Sequence, residues 1–347
     1  MRTGRLKLLA AVAMATAASI AAVKVGVAQD KPSIIVTYWQ QATALPETIL
    51  ATQPSLQATI PATITYRPIT SGPAALAAMK AGAYDFVGGV GNPPVLSAIA
   101  NQTNMKIIWA QYYDLAGFAV QGDVKVPDGL VGKELGQQVG SSEAFSFYGW
   151  LKNRGLWGKV KLVNMIPQAM LAAFKSKAIA GGYVSEPFPT MMVGSGGKMV
   201  VTSADMVKEG YPGINVIAAN ADLVKNHPEI VQAYVCALAK AETMVKGPNA
   251  VDVLNKAGAF SGGVPNSDEV VKLGADWPYW PLSEEMGPRG MGTVDNPGSG
   301  IIAQVLYKTG LWMKEQGKIQ EAPTQQTVSS YVDASFAQNV IDNKCPQ

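Results

Sequence analysis

Apolar residues recur at helical spacing in two segments that nearly match, Ala74-Ala75-Leu76-Ala77-Ala78-Met79-Lys80-Ala81-Gly82-Ala83 and Ala169-Met170-Leu171-Ala172-Ala173-Phe174-Lys175-Ser176-Lys177-Ala178, 169 − 74 = 95 positions apart. Each leads through a small-residue turn into a strand-like run, residues 84–87 or 182–184. A loop with proline follows, Asn92-Pro93-Pro94 in the first copy and Ser185-Glu186-Pro187 in the second. A strand running into a proline-started helix leaves first-turn amides without helical partners at a loop, and such amides favour anions. Two α/β units of this kind facing each other across a cleft would close on a small anionic ligand.

The remaining pattern extends both units. Residues 34–39 and 62–67 alternate as β-branched strands, Pro46 opens a helix between them, and Thr70-Ser71-Gly72-Pro73 turns the second strand into the first repeat helix. Strand 84–88, a helix from Pro93 and strand 106–111 complete a β-α-β-α-β-α-β series, which predicts a mostly parallel sheet with ligand loops at the strand C-terminal ends. After Phe118-Ala119-Val120 the series restarts. Strand 137–140 leads through Ser141-Ser142-Glu143 into helix 144–154, strand 161–165 leads into the second repeat helix, and strand 182–184 leads to Glu186-Pro187. Residues 213–219 then form an apolar strand returning to the first unit, and from Asp222 onward the pattern is mostly helical. The expected organisation is a first lobe of residues 29–118 and 219–347 wrapped around a second of residues 119–218, with crossovers near 118–121 and 215–219.

The N-terminus changes the charge picture. Arg2, Arg5 and Lys7 precede an uncharged apolar run, residues 8–23, and Gly26-Val27-Ala28 supplies the small residues of a cleavage site, so residues 1–28 read as a secretory signal peptide. The run is shorter than the roughly 20 residues a membrane-spanning helix needs. Removing four basic residues, Lys24 included, and no acid leaves 28 − 4 = 24 basic against 25 acidic side chains, a net charge of −1. No basic face remains to suggest nucleic acid as a partner. Cys236 and Cys345 are the only cysteines, and in an exported chain they either pair or leave Cys236 as a buried thiol in its helix.

The candidate chemistry is that of a binder. His227 is the single histidine and sits in a helix-start sequence, so no Ser-His, Cys-His or metal constellation can be assembled around it. A carboxylate pair such as Asp114 with Glu186 stays open. Gly88-Gly89-Val90-Gly91 fits neither a dinucleotide fingerprint nor a phosphate loop. No cofactor or metal is expected. Small polar residues do stand at three strand-to-helix junctions: Ser71 with Gly72, Gly91 with Asn92, and Ser141 with Ser142. Any one of them reads equally as an ordinary helix N-cap, whereas all three together suggest a grip on an anion. Gln40 belongs to the same group of junctions, and among the aromatic residues near them Tyr38, Tyr112 and Phe145 are the candidates for lining the cleft.

Longer stretches carry a family resemblance: Thr65-Tyr66-Arg67-Pro68-Ile69-Thr70-Ser71-Gly72, Gly91-Asn92-Pro93-Pro94, Ala172-Ala173-Phe174 ahead of Gly182-Tyr183-Val184, Lys225-Asn226-His227-Pro228-Glu229-Ile230-Val231, and Lys314-Glu315-Gln316-Gly317-Lys318. Over about residues 34–340 the chain resembles the periplasmic solute-binding proteins of nitrate, sulfonate and taurine ABC importers, most of all the taurine-binding members. The resemblance implies an α/β, two-lobed, hinge-bending fold of the type II periplasmic-binding-protein kind, each lobe a mostly parallel sheet flanked by helices. It implies a periplasmic monomer that hands a small organosulfonate to a membrane permease. By position, Ser71, Gly72, Gly91, Asn92, Ser141 and Ser142 match the anion-gripping loops. Asn215 stands where taurine binders carry an acid for the substrate's ammonium group, and Glu186 is an acid their pattern lacks, there either to replace it or as a solvated edge carboxylate. A receptor for an aromatic carboxylate or a thiamine-precursor pyrimidine is the alternative. An enzyme of the related pyrimidine-synthase type would need a catalytic His and a Cys-rich motif that this chain does not have.

Overall fold

The computed structural model describes residues 31–40, 44–263, 274 and 277–346. The expected signal peptide, residues 1–28, lies outside them. No helix among the described residues is long and apolar enough to cross a membrane.

Among the described residues ten strands form two five-stranded sheets. The first contains β1 (Ser33–Trp39), β2 (Thr63–Ile69), β3 (Phe86–Gly91), β4 (Met105–Tyr113) and β10 (Ile214–Asn220); the second contains β5 (Ala116–Gln121), β6 (Glu134–Gln137), β7 (Lys161–Asn164), β8 (Gly181–Ser185) and β9 (Gly197–Thr202). The orders are β2-β1-β3-β10-β4 and β7-β6-β8-β5-β9. These are one arrangement made twice: second strand, first strand, third strand, a strand arriving from the other lobe, fourth strand. The arriving strand pairs antiparallel to both neighbours, and the other pairs are parallel. Four strands in each sheet therefore run one way, as a β-α-β series requires, and the crossing strand is the exception.

The repeat segments become α3 (Gly72–Lys80) and α6 (Pro167–Lys175), each following the second strand of its lobe, each nine residues long, each with proline in its first turn. Between and around them stand α1 (Pro46–Ala51), α2 (Pro54–Gln57), α4 (Asn92–Ala100), α5 (Ser142–Asn153), α7 (Phe188–Gly194), α8 (Ser203–Lys208), α9 (Ala221–Asn226), α10 (Pro228–Met244) and α11 (Ala250–Ser261). The chain closes with α12 (Ile301–Glu315), α13 (Gln325–Ser330) and α14 (Ser335–Ile341). The expected strand 137–140 is misplaced, because the strand is Glu134–Gln137 and ends where the other would begin. Gly140 adopts φ +85°, and Val139 is 45 % exposed, so this stretch is loop. Residues 118–121 and 215–219 lie inside β5 and β10. The chain passes between sheets through Asp114-Leu115 and returns after α8 through residues 209–213. The two passages touch where the Asp114 amide donates to the Gly213 carbonyl, 3.0 Å.

Apolar burial divides in the same way. One core joins β1, β3, β4 and β10 to α3, α4, α10 and α12, and smaller ones form under the second sheet around Phe118, Phe147 and Trp150 and around Met170 and Phe174. The helix α5 belongs to both, since its Phe147 and Trp150 face the second sheet while Phe145 and Tyr148 join the first core. There Tyr148 donates from its hydroxyl to Glu315 at 2.6 Å, and Phe145 meets Trp312 edge-on at 5.7 Å. The C-terminus is fastened to the first lobe by a disulfide between Cys236 on α10 and Cys345.

Candidate functional site

Residues at or just after the C-terminal ends of parallel strands from both sheets, β1 to β4 in the first and β6 and β8 in the second, enclose a cavity of about 500 Å³. Sheet register puts three of its residues in one row: Asn215 of β10 lies opposite Gly91 of β3 on one side and Tyr112 of β4 on the other. From the first lobe the cavity also receives Ser71 and Gly72; from the second it receives Ser141, Ser142 and Glu186; Asp114 comes from the passage between them.

The remaining sequence candidates stand elsewhere. Tyr38 packs on Phe260, ring centroids 4.8 Å apart, because alternation along β1 sends its neighbour Trp39 to the cavity side instead. Phe145 is fully buried in the first core, packed between Tyr211 and Trp312 with ring centroids 5.4 and 5.7 Å away. Asn92 turns its amide away, donating to Thr309 Oγ1 at 2.7 Å and accepting from the Ile214 amide at 3.4 Å, so it ties α4 to α12 and β10. Gln40 is exposed and outside the lining. Sequence reasoning missed Trp39, Trp277, Gln138 and Glu143, which all line the cavity. Trp39 was recoverable from the period of β1; Trp277 enters from a loop that no local pattern places.

The serines act first on their own helices. Ser71 Oγ accepts from the Ala74 amide at 3.4 Å and Ser141 Oγ from the Ala144 amide at 3.2 Å, while the Ser141 hydroxyl donates to the Gln138 carbonyl at 2.9 Å. Both are N-caps, which leaves the preceding first-turn amides, Gly72 in α3 and Ser142 and Glu143 in α5, as the groups a helix cannot satisfy itself. First-turn amides and the positive end of a helix dipole favour negative charge.

Two glycines in the Gly88-Gly91 run have steric reasons. A Cβ on Gly88 would stand 1.4 Å from Glu47 Oε1, and one on Gly89, at φ +62°, would stand 2.8 Å from Trp39 Nε1. Behind the wall, Gln111 Nε2 donates to Glu47 at 2.7 Å and Gln111 Oε1 accepts from the Gly89 amide at 2.7 Å, while the Trp39 indole N–H donates to the Gly89 carbonyl at 2.9 Å. Burial pushes the Glu47 carboxyl up to about 7, with the bonds from its own backbone and from Gln111 only partly opposing.

At the base of the cavity Asp114 is 7 % exposed. Its Oδ1 accepts from Asn215 Nδ2 at 2.7 Å, and its Oδ2 has no hydrogen-bond partner among the described residues. Burial first, and then the Glu143 carboxylate, hold its pKa well above the usual carboxylate range, with the Ser142 hydroxyl and the Asn215 amide pulling it partway back. Only glycine fits at 213, because a Cβ there would meet Asp114 Oδ2 at 1.9 Å. Glu186 sits half-buried in the turn before α7 and accepts from Thr190 Oγ1 of that helix at 2.9 Å. No group of His, Cys, Asp and Glu among the described residues could hold a metal ion.

Two α/β lobes of identical strand order, joined by two adjacent passages and enclosing a helix-end cavity, define a two-lobed ligand-binding architecture. The chain belongs to the NMT1-like family, whose sequence profile matches residues 27–257. It is 24 % identical over 326 residues to the taurine-binding periplasmic protein of Escherichia coli K12, covering 90 % of this chain and 95 % of that one. Among solved structures it superposes on the periplasmic sulfonate-binding protein SsuA of Methylobacillus flagellatus KT with a TM-score of 0.70 at 16 % identity, covering 91 % and 96 % of the two chains. The fold is shared with a catalyst too: the desulfurization enzyme DSZB superposes with a TM-score of 0.56 at 14 % identity over 90 % of this chain and 99 % of that one.

Proposed function

We propose that the protein is the extracytoplasmic substrate-binding component of an ABC importer, capturing a small organosulfonate between its lobes and passing it to the permease. The observation that carries this reading is the meeting of first-turn amides from both lobes, α3 on one side and α5 on the other, in a cavity whose described lining has no Lys, Arg or His. A tetrahedral anionic group suits such an amide cradle. The size is right for a small metabolite, since ligand pockets run from about 300 to 1,000 Å³. The described lining holds no Cys, Lys or His, both cysteines are tied in the disulfide, and no cofactor is invoked. Residues 1–28 serve as the export signal, the mature chain acts in the periplasm as a monomer, and nucleic acid is not a partner.

The lobes in this reading meet at the paired passages, Asp114-Leu115 and 209–213, and rotate about them; the expected bounds at 118 and 219 move there because residues 116–121 belong to the second sheet and residues 214–220 to the first. A thermal-shift series tests the ligand class. A ligand at about a hundred times its Kd stabilises the folded state by about 2.7 kcal/mol. Sulfonates such as taurine and ethanesulfonate should raise the melting temperature, while nitrate, benzoate and an aminopyrimidine should not. A rise with any of the latter three and none with the sulfonates overturns the assignment.

A further inference from the structure

The row Gly91, Asn215, Tyr112 forms because both neighbours of β10 slip against it. In β3 the pairing shifts between Val87 opposite Ala218 and Val90 opposite Val216, which leaves Gly88 and Gly89 against Ile217 alone. In β4 it shifts between Ala110 opposite Val216 and Tyr112 opposite Asn215, which leaves Gln111 with no partner in β10. With neither slip Asn215 would stand opposite Val90 and Gln111 instead. Because a slip of one residue turns the side chains beyond it to the other face of a sheet, the two bulges decide which residues of β3 and β4 reach the cavity. Bulges also interrupt the ladder, and the buried backbone groups they free need other partners.

Those partners are side chains, and they are bonded to one another. Gln111, the extra residue of one bulge, accepts at Oε1 from the Gly89 amide of the other at 2.7 Å, and the Trp39 indole donates to both carbonyls there, Gly88 at 3.1 Å and Gly89 at 2.9 Å. Glu47 completes the set. It accepts from Gln111 Nε2 at 2.7 Å, and Gly88 leaves room for its carboxyl. Glu47 and Gln111 are 1 % and 0 % exposed, so water does not replace either bond when it is lost. An ionised carboxylate only accepts, which fixes the amide end of Gln111 that faces β3. We propose that Glu47 and Gln111 are positioning residues of the binding site, a clamp that touches no ligand and sets affinity by holding the paired bulges that bring Gly91, Asn215 and Tyr112 into one row. This rests on the cavity being the ligand site, as in the reading above, whichever anion it takes. Helix α1 then serves the site from behind, although none of its residues lines the cavity.

Exchanging the two side chains tests the clamp, because a carboxylate at 111 can still accept from the Gly89 amide but has nothing to donate. The mature wild type, Gln111→Glu, Gln111→Leu and the exchanged pair Gln111→Glu with Glu47→Gln are titrated calorimetrically with taurine and ethanesulfonate at pH 8, well below their melting temperatures. Gln111→Glu sets two buried carboxylates against each other and should weaken whichever sulfonate the wild type binds by about tenfold, the scale of one hydrogen bond lost to a charged group. Gln111→Leu should weaken it as much. Adding Glu47→Gln to Gln111→Glu restores the bond with donor and acceptor reversed and should return affinity to within about twofold of wild type. Burial holds the Glu47 carboxyl up to about 7, so at pH 5.5 a shared proton rejoins the two carboxyls of Gln111→Glu and its loss should shrink, while that of Gln111→Leu stays. The titratable groups facing Glu47 are Tyr66 of β2, Tyr112 of β4, Tyr234 and Glu242 of α10, and Tyr279; all are common to the four proteins and cancel. Unchanged affinity in Gln111→Glu and Gln111→Leu overturns the clamp, as does a loss that Glu47→Gln fails to reverse. A lowered melting temperature with affinity kept overturns it too, since the contact then serves stability alone. Should Gln111→Glu fold poorly, Gln111→Leu and the exchanged pair carry the same comparison against the wild type. If the wild type binds neither sulfonate, the sulfonate reading falls and amide hydrogen exchange over residues 86–91 decides for the clamp: exchange faster in Gln111→Glu than in the wild type and the exchanged pair upholds it, and equal rates in all overturn it.

Discussion

α3 and α6 are nearly the same helix in sequence, length and place in their lobes, yet only α3 reaches the cavity. Ser71, Gly72 and Pro73 line it, whereas Ile166, at the N-cap of α6, is 60 % exposed and has no side-chain cap. The second lobe serves the cavity instead from α5, the helix after its first strand, and from Ser185 and Glu186 after its third. The corresponding first-strand position in the first lobe leads to α1, whose Glu47 is sealed behind the wall. Repetition of strand order thus fixes where a site can be, at the strand ends, but not which helix end makes it. The lobes also differ in reinforcement: the disulfide and the buried acids Glu47 and Glu285 all belong to the first.

The disulfide is where that difference should be largest. It closes a segment of 109 residues by sequence separation, and removing a native disulfide that closes a loop this long costs about 2 to 5 kcal/mol. Cys236→Ser with Cys345→Ser should lower stability to chemical denaturation by that amount, and proteolysis of the double variant should begin in the tail after α14, which the disulfide no longer ties to α10. A loss spread equally over both lobes would remove the asymmetry.

Glu47 gives the next effect. Its folded pKa is raised from 4.5 to about 7, so its contribution to stability is fully present below pH 4.5 and is lost as pH rises through 7. Glu47→Gln keeps the neutral form at every pH and can still bond Gln111. It should therefore be stabilised relative to wild type at pH 8 by about 1 to 3 kcal/mol, since each pH unit between the folded and unfolded values is worth about 1.4 kcal/mol, and unchanged at pH 4.5. Denaturant melts at the two pH values check this; equal differences at both would mean that ionisation of the buried Glu47 carboxyl is not what governs.

These two regions also mark how far the sequence could be read. The repeat, the proline-started helices and strands β1, β2, β4, β7 and β10 follow from local periodicity to within one or two residues, and the junctions at Ser71, Gly91 and Ser141 fall at the cavity because strand ends are where such loops lie. Local pattern fails where long-range contacts decide. Phe145 looks like a cleft residue until α12 supplies Trp312 to cover it. Strand β9 has no clear local signal, because Gly197 to Thr202 pairs only with β5, a strand from before the second lobe's series begins. Asp114 and Asn215 are 101 residues apart, and nothing in either neighbourhood predicts that one holds the other.

A matched pair of substitutions tests the α3 and α6 comparison directly, since Pro73 and Gln168 occupy the same first-turn position in the two helices and both are exposed or partly so. Pro73→Glu places a carboxylate at the proposed anion subsite and should weaken sulfonate binding by about tenfold, a difference of about 1.4 kcal/mol. Gln168→Glu adds the same charge to the same place on the dipole, where it should leave affinity alone and stabilise the fold by about 0.3 to 1 kcal/mol. Equal effects on affinity would mean that the cavity is not where α3 meets the ligand.

The smallest effect concerns what Ser141 does. Its hydroxyl is occupied on both sides, accepting from the Ala144 amide and donating to the Gln138 carbonyl, so it has no donor left for a ligand oxygen. Ser141→Ala should then cost about 1 kcal/mol of stability, the ordinary worth of an N-cap, with a loss of affinity no larger than loosening of the α5 first turn produces. Ser141→Asp separates the two roles: aspartate caps as well as serine but brings a negative charge beside the anion. Stability restored with affinity lowered identifies the residue as a cap bordering the site. Affinity retained in Ser141→Asp would instead place the anion away from α5 and leave α3 as the single helix end that grips it.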